Sequence, residues 1–194
     1  VKMYNPVNIL FPWKTQGRMH DKYIIVDDLG YILGGRNSFD YFIGEFEAKS
    51  KSFDREVLVY NGANGDKDAK ESSLFQLEEY FNRVWNSDES KMFFDSESLA
   101  EKEKVKDKVG FLKERYTYLK EEWPKLFEEY SYESTTVPTK KITLLSNDIH
   151  VYGKEPKVFY SLVQLMKDAK KQVVVHSPYA VFDDYMLELL QQVG

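Results

Sequence analysis

The stretch Gly17-Arg18-Met19-His20-Asp21-Lys22-Tyr23-Ile24-Ile25-Val26-Asp27-Asp28-Leu29-Gly30-Tyr31-Ile32-Leu33-Gly34-Gly35-Arg36-Asn37 decides the reading of this chain. Two β-rich runs flank an Asp/Gly turn, which is the signature of a hairpin. The run Tyr23 to Val26 is apolar on both faces and reads as a buried strand. Side chains two apart on a strand share a face, so His20 and Lys22 are expected to point the same way. Folding about Asp28 and Leu29 brings Asn37 within about one residue of facing His20. An imidazole, an ammonium and a carboxamide thus converge at the open end of the hairpin. Gly34 and Gly35 leave the approach free of side chains, so that a ligand can come close to the backbone.

Working outward, Glu56 to Tyr60 is another short strand, after which Asn61-Gly62 and Asn64-Gly65 break the chain. From Ser72 to Trp85 the spacing predicts a helix with Leu74, Leu77, Phe81, Val84 and Trp85 on one face. Val105, Val109, Leu112, Tyr116, Leu119 and Trp123 form a heptad-like seam that Pro124 interrupts, and Leu126, Phe127 and Tyr130 continue it. Such a seam is expected to pack on the chain's own core; the sharper alternative is a coiled-coil or membrane-contact arm. Residues 131–140, rich in Ser and Thr, read as a linker. Beyond it the texture alternates: Lys141–Ser146 as strand, Lys157–Lys170 as amphipathic helix, Gln172–His176 as buried strand and Phe182–Gln192 as helix. That order predicts an α/β fold with a parallel sheet and helices packed on it.

Composition narrows the function classes. The chain has 194 residues and no cysteine, which excludes disulfides, thiolate zinc sites and cysteine nucleophiles. Its formal charge is -5 and its pI about 5.4, so a broad cationic surface for nucleic acid is not expected. No apolar run approaches the roughly 18 residues of a membrane helix. No signal peptide is visible, but the first residue is Val1 and not Met, so a targeting segment could have been removed ahead of it.

The cluster suits a phosphate ester. Lys22 and Asn37 can hold non-bridging oxygens and stabilise transition-state charge. The imidazole of His20 can act as nucleophile or as general acid or base. Asp21, Asp27 and Asp28 can orient the ring or hold the hairpin, and Asp54 is a further candidate partner for it. No metal or other cofactor is expected, because no second nearby His or Cys completes a ligand set.

His20-x-Lys22, four residues, Asp27, six residues, then Gly34-Gly35-Arg36-Asn37 resembles the HKD motif of the phospholipase D superfamily. Asn37-Ser38-Phe39-Asp40-Tyr41-Phe42 resembles the segment that follows the motif in bacterial cardiolipin synthases. Phe53 to Val59 resembles the next strand of that family, with Asp54 in its acidic position. Phe81-Asn82-Arg83-Val84-Trp85 resembles the helix closing the first half. Val173-Val174-Val175-His176-Ser177-Pro178-Tyr179 resembles the strand and turn opening the second. Gly35 departs from the Ser or Thr common in the superfamily, and residues 90–140 carry no placeable motif.

The resemblance implies a partial phospholipase D-like α-β-α sandwich with a helical connecting region. Its parts would be 1–88, ending the first half with the motif; 89–137, the connector; and 138–194, starting the second half. It implies phosphodiester hydrolysis or phosphatidyl transfer through a phosphohistidine, in bacterial phospholipid metabolism. His20 would be the nucleophile. Lys22, Gly35 and Asn37 would bind substrate phosphate, Asp27 would support the hairpin, Asp54 would orient His20, and Tyr179 would line the pocket. The partners would be a phospholipid, with an alcohol or water as acceptor, at the cytoplasmic face of a membrane to which the protein is peripherally bound. His150 and His176 lack the following Lys and Asp, so neither completes a second motif. They read as a surface residue and a strand-end residue. The missing motif implies a fragment inactive alone, with dimerisation a further expectation. Two rivals remain: a nuclease or phosphodiesterase of the same superfamily acting on nucleic acid, and a non-catalytic helical interaction module.

Overall fold

The computed structural model describes residues 1–38, 51–62, 72–93, 96–177 and 179–193. Phe39 to Phe42, Asn64-Gly65 and Pro178, which enter the sequence readings above, lie outside the described residues. The fold is mixed α and β, with two small antiparallel sheets among the described residues.

The larger sheet is a meander of β2 (Lys22–Val26), β3 (Gly30–Gly34) and β4 (Glu56–Tyr60), with β3 in the middle. Lys22 pairs with Gly34 and Val26 with Gly30, so the loop is Asp27-Asp28-Leu29. Leu29 N donates to Val26 O at 3.0 Å, and Asp27 takes φ 42°, the left-handed turn conformation that Asp tolerates better than most residues. Asn61 fixes this turn to the end of β4 by donating from its side chain to Asp28 O at 2.9 Å and from its backbone to Leu29 O at 2.8 Å. The smaller sheet pairs β1 (Lys2–Tyr4) with β5 (Ser90–Met92).

Alternation sends Tyr23, Ile25, Tyr31, Leu33 and Val59 to one face of the meander, where α1 (Ser73–Trp85) covers them. Ser72 caps α1 by accepting from Leu74 N at 3.3 Å. Tyr31, Leu74 and Leu77 form the centre of the core, and Tyr31 Oη donates to the buried Ser73 Oγ at 3.0 Å. Tyr80, one turn beyond Leu77, joins this core, whereas Phe81 and Trp85 are partly exposed. The apolar stripe of α1 therefore sits slightly rotated from the expected one. The opposite sheet face, with Ile24, Val26 and Ile32, is exposed; Tyr132 stacks on Tyr60 at its end.

α2 (Glu103–Glu122) begins the long helical region and runs into a 3-10 turn, Pro124–Phe127, its principal packing partner. It buries no residue, so the expected packing of its seam on the chain's own core is not observed. A short α3 (Tyr132–Thr135) follows in the predicted linker. Next come α4 (Lys157–Asp168), close to its predicted span, and α5 (Asp184–Gln191). Residues 141–146 and 172–176 are not strands, and the predicted parallel sheet is absent among the described residues. Their backbone groups have no neighbouring ladder, which a strand requires however β-prone its sequence. Residues 172–177 are exposed rather than buried, so His176 is an exposed loop residue and not the end of a strand.

Candidate functional site

His20 sits two residues before the first ladder pair of β2, exposed at the open end of the hairpin. Lys22 Nζ lies 2.8 Å from His20 Nδ1 and donates to His20 O at 2.7 Å. An ammonium only donates, so Nδ1 is the acceptor and the neutral ring carries its proton on Nε2. The expected convergence of His20 and Lys22 is thus a direct contact. Continuing the register beyond Lys22–Gly34 sets His20 opposite Arg36, with Asn37 one residue further on. Asn37 is half-buried, and among the described residues its side chain makes no hydrogen bond.

The glycines serve a different purpose from the open approach that the sequence suggested. A Cβ on Gly34 would come within 2.9 Å of Arg55 O, and one on Gly35 within 3.1 Å of an Asp54 carboxylate oxygen. Both positions are small because the chain entering β4 packs against them. Asp54 therefore stands at the expected end of the hairpin, but among the described residues it makes no hydrogen bond to His20. Arg36 fastens this corner. Its guanidinium chelates the Glu56 carboxylate through Nε and Nη2, the latter at 3.2 Å, and Nη2 also donates to Asp54 O at 3.0 Å. The Arg36–Glu56 pair escapes sequence reasoning because it depends on where β4 pairs. The one available signal was the opposite charge of two residues flanking the glycine pair and the next strand.

A cleft of about 310 Å³ opens beside His20. One wall is Arg18 to Asp21 with Tyr4, Tyr23 and Tyr80; the other is the extended segment Leu144 to Ile149, with Lys154 and Val158. That segment is held without a ladder: Leu144 N donates to Gln76 Oε1 at 2.9 Å, and Asn147 Oδ1 accepts from Val158 N at 3.1 Å. Lys157 Nζ donates to Asp148 Oδ1 at 2.6 Å and holds that carboxyl below the usual range. Gly17 packs on Val151, where a Cβ would come within 2.6 Å.

Asp21 is surrounded by phenols. Tyr80 Oη donates to Asp21 Oδ2 at 2.5 Å, and the Tyr23 and Tyr80 rings meet edge to face at 6.2 Å. Burial first, then the hydrogen bond to Asp21 and the Asp21 charge push the Tyr80 hydroxyl well above its ordinary value; burial and the Asp21 charge raise Tyr23. Both hydroxyls remain protonated at neutral pH, and that of Tyr80 is the donor to Asp21.

The remaining candidates lie apart. Asp27 is at the far end of the hairpin, exposed in the turn, and Tyr179 is 79% exposed and does not line the cleft. His150, expected at the surface, is half-buried, with Nδ1 buried and without a hydrogen-bond partner. Arg18, Lys154 and Tyr80 line the cleft although the sequence did not single them out for it, and Asp21, a candidate to orient the His20 ring, is bonded to Tyr80. Among the described residues no cluster of His, Asp and Glu is arranged to hold a metal ion. Comparison with protein-family models, with curated proteins and with solved structures gives no match.

Proposed function

We propose that the chain is part of a phospholipase D-type phosphodiesterase or phosphatidyltransferase, cardiolipin-synthase-like, with His20 as nucleophile. The observation that carries this reading is the His20–Lys22 contact at 2.8 Å at the open end of the hairpin, where His20 also lines an open cleft. A fixed cation beside an imidazole is what a phosphate ester requires: one binds the non-bridging oxygens and the other attacks phosphorus. Lys22 holds the ring's Nδ1 when no anion is present, and a bound phosphate would draw the ammonium to its own oxygens. Asn37, with its amide free of partners among the described residues, would supply further donors. Arg18 and Lys154 line the same cleft, together with the carboxylates of Asp21 and Asp148. Asp27 and Arg36–Glu56 would then support the hairpin. Asp54 would orient the ring only after a rotation that releases Lys22.

With one His-x-Lys pair in 194 residues, the imidazole that protonates the leaving alcohol would come from outside this sequence. The substrate class would be a phospholipid at a membrane surface, with an alcohol or water as acceptor. The test uses a phosphodiester with an aryl leaving group, which departs as phenolate and needs no acid. The expected result is a stoichiometric burst: a nitrogen–phosphorus bond forms at His20, the phosphorus–aryl oxygen bond breaks, and turnover does not follow. His20→Ala should give no adduct. Sustained phosphatidyl transfer by this chain alone, lost in His20→Ala, would overturn the inactivity of the single motif. The absence of both adduct and phosphate affinity would overturn the reading itself.

A further inference from the structure

α2 has an exposed apolar seam: Leu112 is 62%, Tyr116 53%, Val109 44% and Trp123 40% exposed, with Val105 and Leu119 half-buried. At about 100° per residue these six side chains fall within one arc of roughly 80°. The charges around that arc are sorted by sign. Lys106, Lys113 and Lys120 follow one edge of the seam at seven-residue steps; Lys104, Lys108 and Arg115 follow the other, which Glu122 ends with an opposite charge. Glu103, Asp107, Glu114 and Glu121 occupy the opposite pole. On the first edge Lys120 Nζ lies 4.9 Å from the Tyr116 ring centre and 5.7 Å from that of Phe127, while Lys106 Nζ pairs with Glu101 Oε2 at 3.2 Å.

This sorting selects the occupant. Two copies of α2 joined through the seam would set the uniformly cationic Lys106, Lys113 and Lys120 edge against itself in the antiparallel arrangement and against Lys108 and Arg115 in the parallel one; Glu122 offsets this only at the helix end, so self-pairing is opposed. An anionic lipid surface reverses the sign of that term. The seam would enter the acyl boundary, the flanking lysines would reach the phosphates, and the carboxylates would stay in water. Tyr116 and Trp123 are residue types that favour the interface between the two media. No described helix is long and apolar enough to cross a membrane, so the contact is one that lies on the surface.

We propose that α2, continued by the turn Pro124–Phe127, is an interfacial helix that docks on an anionic lipid surface along the seam from Val105 to Trp123. This surface is separate from the His20 cleft, and the proposal does not rest on the chemistry assigned there.

The test is co-sedimentation of the full 194-residue protein with phosphatidylcholine vesicles, with and without about 30% phosphatidylglycerol. Binding to the anionic vesicles should be at least about tenfold tighter than to neutral ones and should weaken between about 50 and 300 mM salt. The triple variant Lys106→Glu/Lys113→Glu/Lys120→Glu should lose about tenfold or more in affinity while its circular dichroism is unchanged, since all three side chains are exposed. A second reading keeps the native α2: in a Trp13→Phe/Trp85→Phe background, Trp123 emission should shift blue on anionic vesicles and be quenched by brominated acyl chains. The vesicle assay reads the α2 seam and not the His20 cleft, so failure of the catalytic reading would leave this result standing. The proposal is overturned if anionic vesicles bind no better than neutral ones, if the triple variant binds undiminished, if Trp123 stays in water, or if the seam takes polyglutamate while ignoring vesicles.

Discussion

In α1 the apolar stripe is closed: Leu74 and Leu77 are 0% and 1% exposed against Tyr31 and its neighbours. In α2 an equally regular stripe stays open, with Leu112 62% exposed. Both helices announce themselves through three- and four-residue spacing, so spacing alone does not tell a core helix from a surface one. The flanks do. Ser72 and Ser73 at the start of α1 are neutral, and one of them is buried as the acceptor for Tyr31. The seam of α2 is bordered by lysines, whose charged ends resist burial.

The contrast can be broken most forcefully at Leu77. Leu77→Ala should cost about 2–5 kcal/mol in urea or thermal unfolding, because a fully enclosed side chain is removed. Tyr31→Phe should cost about 1 kcal/mol in the same assay, leaving the buried Ser73 hydroxyl without its donor. Ser72→Ala should cost about the same through loss of the N-cap, with a matching loss of helical signal. Leu112→Ala should fall within about 0.5 kcal/mol of wild type, as expected for an exposed position. A loss there comparable to that of Leu77 would mean that the α2 seam is covered in solution.

The phenols around Asp21 give the cleft wall a pH dependence. Tyr80 is raised from an ordinary value of 10.0, so above that pH the unfolded chain releases a proton that the folded one retains. Stability is then full below pH 10 and is lost as pH rises from there through the folded value. The melting temperature of the wild type should decline over that alkaline window more steeply than that of Tyr80→Phe. Parallel declines would separate Tyr80 from the effect.

The hairpin was legible because its strands, turn and register are local: Asp28 and Leu29 fall in the loop, and Lys22 pairs with Gly34. The contact of His20 with Lys22 follows from two-residue spacing for the same reason. What was not legible depends on distant partners. Leu144 meets Gln76 across 68 residues to close the cleft, and no local pattern encodes that meeting. Residues 141–146 and 172–176 have strand-like composition, but a strand also needs a neighbour to accept its backbone groups. Tyr80, rather than Phe81, packs on the core and its hydroxyl bonds Asp21, a pairing invisible to a hydrophobic count.

The assignment of His20 and Lys22 to a phosphate site is tested most directly by the nitrogen resonances of the His20 ring, followed at slightly alkaline pH during titration with inorganic phosphate. Without phosphate the expected spectrum is that of a ring protonated on Nε2, with Nδ1 accepting from Lys22. Phosphate should shift both nitrogens to saturation as the ammonium leaves the ring, and Lys22→Met should abolish the response. A His20 spectrum that phosphate leaves unmoved, or one that moves equally in Lys22→Met, would contradict the assignment.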